Sequence, residues 1–196
     1  VLEVELLLLI NIYYCLHTFH ICQIQKSFLL NDNNVTFKYN IIKIDKIDGS
    51  DIAIGTLDRS IDSSLKIYSV LPDNWQQYIK TEINSAMGVQ FVTLRLPVLF
   101  LNQDKKVLIG DITRLIDAVA DVESSVFGTS QSYYETQRGG DSGNPIFVQV
   151  GSELALLGAW YKVGSFAWLI SRKTQIESII GQKLNVINMT GFEKVF

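Results

Sequence analysis

The sequence is short of the residues that staple or stiffen small proteins. With two cysteines and three prolines in 196 residues, it has no disulfide framework and no proline-rich linker to organise it. It needs neither, because a chain of this length buries most of its apolar surface unaided. An excess of one charge is missing too. Lys and Arg total 17 against 20 Asp and Glu, a net charge of -3 that leaves no basic footprint for nucleic acid. Long hydrophobic runs are equally scarce. The best is VLEVELLLLINIYYCL at the start, where Glu3 and Glu5 flank the apolar stretch and Asn11 interrupts it. That is too short and too acidic for a membrane span or signal peptide, which argues against a membrane partner, so a core strand at the start of an incomplete gene model is expected.

Histidine is as scarce as cysteine, with two of each. His17 and His20 lie between Cys15 and Cys22 in YCLHTFHIC, a grouping that raises the question of zinc. Zinc ligands usually come as two close pairs, and no second cluster follows downstream, so no metal is expected.

What the chain has in quantity is short apolar runs separated by turn residues. Val35, Phe37, Tyr39 and Ile41 alternate with Thr36, Lys38 and Asn40, the period of a half-buried strand. IIKIDKIDGSDIAIGTLD adds two apolar runs broken at Asp48-Gly49-Ser50. FVTLRLPVLFL and KKVLIGDITRLIDAV follow, joined through Asn102, Gln103 and Asp104. IFVQV and ELALLGAWY flank Gly151-Ser152, a pair suited to a two-residue hairpin. LPDNWQQYIKTEI is ambiguous. One helix is expected near the C-terminus, where Thr174-Gln175-Ile176-Glu177 resembles a capping box and Gly181 stops the run. Many short strands with one helix indicate an all-β sandwich or barrel pair.

One stretch carries more turn chemistry than a turn requires. In RGGDSGNP, residues 138 to 145, Gly140 and Gly143 let the backbone bend sharply around Ser142, the geometry that exposes backbone N–H groups for an oxyanion hole. A serine nucleophile needs a base and a carboxylate to orient it. Both histidines precede Ser142, which excludes the Ser, Asp, His order, and Gly140-x-Ser142-x-Asn144 departs from G-x-S-x-G. Before His20 the only acids are Glu3 and Glu5, which excludes the order with aspartate first. The order His, Asp, Ser remains.

That order directs attention to three segments: G-D-S-G-N-P (140 to 145), S-D-I-A-I (50 to 54) and T-F-H (18 to 20). They resemble the G-D-S-G-G-P, D-I-A-L and A-A-H segments of chymotrypsin-like serine proteases, over roughly residues 10 to 180. The resemblance implies two six-stranded β-barrels, the first short of strands, and a serine endopeptidase acting on a polypeptide substrate without cofactor. It assigns Ser142 as nucleophile, His20 as base and Asp51 as its orienting carboxylate, with the N–H groups of Gly140 and Ser142 as oxyanion donors. Residues 1–62 would form the barrel half bearing His20 and Asp51, residues 63–181 the serine half with the helix, and residues 182–196 a tail. Thr136, six places before Ser142, and Trp160 would line the substrate pocket. A neutral hydroxyl at 136 does not neutralise a buried cation, so cleavage after Lys or Arg is not implied.

The alternatives follow from the same residues. Asp51 also reads as an ordinary turn residue after Asp48-Gly49-Ser50, with Asp45, Asp48 and Asp58 as substitutes. His17 and His20 would face opposite sides of a strand, so only one could meet Asp51. Only 19 residues precede His20, no I-V-G-G-like segment is present to pair with Asp141, and Asn144 stands where the family has glycine. These departures motivate the alternative function, a catalytically inactive protease-fold module for binding or structure. Two glycosylation triplets, Asn34-Val35-Thr36 and Asn188-Met189-Thr190, complete the inventory.

Overall fold

The computed structural model describes residues 6–10, 26–30, 35–102, 104, 107–116, 119–123, 141–162 and 165–192. Among the described residues the protein is mostly β, with one short C-terminal helix. No helix among the described residues is long and apolar enough to cross a membrane.

The first sheet is built on β4 (Ile52–Leu57), which lies between β1 (Leu6–Ile10) and β3 (Thr36–Lys46), with β2 (Lys26–Leu30) pairing the outer side of β3. β3 is a single strand where the sequence suggests separate runs. Its pairing with β4 shifts between Ile41 and Lys43, so Ile41 points inward while Ile42 is 63% exposed. Such a bulge lets one strand change face without ending. Val35, expected on the buried face with Phe37, Tyr39 and Ile41, is exposed and lies before the strand.

The second sheet contains β6 (Thr81–Ala86), β7 (Val89–Leu101), β8 (Val107–Ile116), β9 (Val119–Glu123), β10 (Pro145–Val150), β11 (Glu153–Lys162) and β12 (Ser165–Trp168). Its pairings run β7–β8–β9–β12–β11–β10 and return from β10 to β7 through Ile146↔Phe100 and Phe147↔Leu99. These strands are antiparallel, β10 meets β7 over those two residue pairs only, and β6 pairs the other end of β7. Alternation fills the core. Leu94, Leu96, Val98 and Phe100 of β7 and Ile146, Val148 and Val150 of β10 all belong to one buried cluster. Through it runs a chain of aromatic contacts, Phe100 to Trp160 to Phe166 to Trp168 to Trp75, with centroids 5.0 to 6.0 Å apart. Tilted and edge-on pairs of this kind contribute about 0.5–1.5 kcal/mol each beyond their buried area.

Turn chemistry is legible at several joints. β10 and β11 meet at Gly151-Ser152 with Gly151 at φ 60°, as the Gly-X pair requires. The β6–β7 hairpin turns on Met87 (φ 51°) and Gly88 (φ 78°), a left-handed pair matching the twist of a tight hairpin. The ambiguous LPDNWQQYIKTEI resolves into a 3-10 turn, Trp75–Gln77, followed by β6.

Helix α1 (Lys173–Ile180) ends at Gly181 in the left-handed conformation, as expected, but the capping box does not form. Thr174 lies inside the first turn, and Arg172 occupies the cap position without a side-chain hydrogen bond to the helix N-terminus. Glu177 instead reaches forward, accepting hydrogen bonds from Lys183 Nζ (2.6 Å) and Leu184 N (3.1 Å). That fixes the following segment, which runs parallel to β5 (Ser69–Val70) through Val70 N to Asn185 O and Ile187 N to Val70 O, both 2.8 Å. Residues 182–192 are consequently packed against the body, with Ile187 and Met189 in the core.

The two sheets meet through small residues. Ile47, Ile52 and Ile54 share a buried cluster with Ala159 and Ala167 on the outer side of β11 and β12, and with Ile176 of α1. Alanine there permits close approach of the layers.

Candidate active site

The serine segment begins as a tight turn. Asn144 N donates to Asp141 O (3.0 Å), which makes residues 141–144 a β-turn with Ser142 and Gly143 at its corner. Gly143 has φ 89°, the value a type II turn needs at its third position, and a residue with a β-carbon would be strained there. The turn is tied to β11 on both sides. Gly143 N donates to Trp160 O (2.8 Å), and Trp160 N donates to Asn144 O (3.1 Å). Ser142 is exposed, whereas Asp141 is 1% exposed. A tight corner with an exposed serine and a buried aspartate is what Gly143 makes possible. Asn144 brings a cost: its amide nitrogen is buried without a hydrogen-bond partner among the described residues.

Asp51 ends the loop between β3 and β4. Ile47 N donates to Ile52 O (3.0 Å), Ser50 N donates to Ile47 O (3.3 Å), and Gly49 sits at φ 71°. Ser50 Oγ clamps the loop, donating to Ile47 O (3.0 Å) and accepting from Ile52 N (3.3 Å). From the far end of the chain, an Arg172 guanidinium nitrogen donates to Gly49 O (3.0 Å). Asp51 itself is half-buried, and no hydrogen bond or ion pair reaches its carboxylate among the described residues. Burial raises its pKa above the ordinary aspartate value, since nothing there compensates the lost hydration.

Ile52, next to Asp51, and Ala159, next to Trp160, belong to the same buried cluster, and Trp160 holds the serine turn. His20, His17, Gly140 and Thr136 lie outside the described residues, as do the cysteines of the zinc reading. Trp160 is buried in the core of the second sheet, 1% exposed and edge-on to Phe100 and Phe166. Its backbone anchors the serine turn. Sequence reasoning missed the Ser50 clamp and the Arg172 tie. The Arg172 tie joins residues far apart in the chain, and no local pattern marks it.

A cavity of about 270 Å³ lies elsewhere, where β10 and β7 part company beyond Phe147↔Leu99. Tyr78, Pro97, Val148 and Phe192 are among its walls, and neither Asp51 nor Ser142 is. No family model matches the chain, and no curated protein matches it.

Proposed function

We propose that the protein is a chymotrypsin-like serine endopeptidase with Ser142 as nucleophile. The observation that carries this reading is the exposed Ser142 on a glycine turn bonded from both sides to β11. Preorganisation matters because a nucleophile and its oxyanion donors act without reorganising during the reaction. On this reading the second sheet is the second barrel, and the four-stranded sheet is the matching part of the first.

Ser142 Oγ attacks the substrate carbonyl carbon while His20 takes its proton. The N–H groups of Gly140 and Ser142 receive the developing oxyanion, each such donor stabilising the transition state by about 2.7–4 kcal/mol. His20 then protonates the leaving amine, and water releases the acyl group by the same steps in reverse. Asp51 holds the imidazolium. Thr136 borders the pocket as a neutral residue.

A second reading, an inactive protease-fold module for binding or structure, is favoured by one observation: the Asp51 carboxylate is unengaged among the described residues. Reaction with a fluorophosphonate separates the two. An adduct at Ser142 that disappears in Ser142→Ala and falls sharply in His20→Ala supports the enzyme. A folded chain that fails to react establishes the inert module, and replacing His17 in parallel shows which imidazole acts.

A further inference from the structure

The segment after α1 holds a second chemically distinctive surface. From Ile187 onward, burial alternates: Ile187 and Met189 are 4% and 3% exposed, while Asn188 and Thr190 face solvent. The buried pair pins the segment to the core, so the middle residue of Asn188-Met189-Thr190 is an anchor and the two outer residues are displayed. Thr190 N donates to Asn188 Oδ1 (2.9 Å). This holds the carboxamide oxygen against the backbone, while its nitrogen has no hydrogen-bond partner among the described residues. Phe192 N donates to Met189 O (3.0 Å) across Gly191 at φ 80°, so the triplet leads directly into a second tight turn. A surface turn with Asn and Thr both accessible is the environment in which a bulky hydrophilic modification costs the fold nothing.

We propose that Asn188 is an acceptor for N-linked oligosaccharide when the chain enters a glycosylating secretory compartment. The donor is a lipid-pyrophosphate-linked oligosaccharide. Asn188 Nδ2 forms a bond to the sugar's anomeric carbon as that carbon's bond to the pyrophosphate oxygen breaks. The lipid pyrophosphate leaves, and an Nδ2 proton passes to a base of the transferase. The glycan projects from a flank away from the serine turn. β5 pairs β11 at Ala155 and Leu156, four residues before Trp160 and so about 13 Å along the strand, and the Asn188 segment lies on the far side of β5. The inference is independent of the protease reading.

The test is expression of the full chain, directed to the endoplasmic reticulum of a eukaryotic cell by a cleavable leader, followed by enzymatic glycan removal in ¹⁸O-water. Conversion of Asn188 to ¹⁸O-labelled aspartate in the secreted, folded chain is the expected result. It is lost in Asn188→Gln and Thr190→Ala and kept in Thr190→Ser, with Met189 untouched in all three. A secreted chain with unmodified Asn188, including one carrying a glycan only at Asn34, overturns the proposal. So does a glycan at 188 that survives Thr190→Ala.

Discussion

Gly158 has no room for an added atom. It pairs with Ile146 on one side and Trp168 on the other, in the middle of β11. A β-carbon there would fall 2.7 Å from Phe166 Cδ2 and closer still to the carbonyl oxygen of Ala167. Ordinary carbon contacts begin near about 3.5 Å, so the ring must give by about 1 Å, and the backbone carbonyl by more. Neither is the free end of a flexible side chain. Overpacking a well-filled core costs about 1–3 kcal/mol, and with backbone as the obstacle Gly158→Ala belongs at the upper end, about 3 kcal/mol. At about 2–4 °C per kcal/mol for a chain of this size, the melting temperature falls by about 6–12 °C. Urea denaturation should show a lower midpoint at unchanged slope. Because β11 also holds the serine turn through Trp160, the fluorophosphonate rate falls as well. Gly151→Ala is the control: nothing lies near its β-carbon, but φ is 60°, so it incurs only left-handed strain of about 1–2 kcal/mol and leaves the serine turn alone. A Gly158→Ala midpoint within error of the parent would refute the packing argument.

Two titratable groups give opposite pH behaviour. Burial raises the pKa of Asp51, so the folded chain holds that proton more tightly than the unfolded chain, and ionisation costs stability as pH rises past the ordinary aspartate value. Asp51→Asn should therefore match the parent at low pH, exceed its urea midpoint at neutral pH, and lose fluorophosphonate reactivity. A lower neutral-pH midpoint would show instead that the carboxylate has a stabilising partner. Glu177 behaves in the reverse sense: the hydrogen bond from Lys183, with that from Leu184 N and the nearby Lys173 charge, holds its pKa below the ordinary glutamate value despite an opposing desolvation effect. Its stabilisation is present above that value and fades as pH falls through the depressed one. The gap in urea midpoint between the parent and Glu177→Gln should close on acidification, and a gap indifferent to pH would rule the ion pair out as its cause.

The sequence was legible where a rule is local. Glycine with a partner residue marked the Gly151-Ser152 hairpin, and Gly181 marked the end of α1, because positive φ excludes most side chains whatever lies around them. Periodicity found β7 and β10. It misplaced Val35, which lies before the first paired residue of β3, and it did not show the bulge after Ile41 that leaves Ile42 exposed, because a register shift leaves no trace in hydropathy. The capping box failed for a related reason: Glu177 has two partners after the helix, and their combined attraction outweighs a return to the N-terminus. The pairing between β7 and β10 joins residues far apart in sequence, so no window of residues could reveal it. The same holds for the placement of Trp160, an aromatic that reads equally as wall or core until its neighbours are known.

The site divides along the same line. G-D-S-G specifies its own turn, since Gly143 and the Asp141-to-Asn144 bond are local, and the turn then needs only one strand to hold it. Asp51 is different in kind. Its loop is held by Ser50 and Arg172, but its carboxylate is fixed by nothing among the described residues and loses hydration without compensation. A group kept in that condition is either a residual cost or one half of an interaction completed by a cation. Adding an imidazolium would reverse the shift, because an opposite charge at hydrogen-bond distance favours the ionised form. The pH dependence of Asp51→Asn stability, measured on the parent and on His20→Ala, therefore tests the coupling directly. If Asp51 and His20 act together, removing the histidine changes the effect of removing the aspartate; if they do not, the two substitutions add.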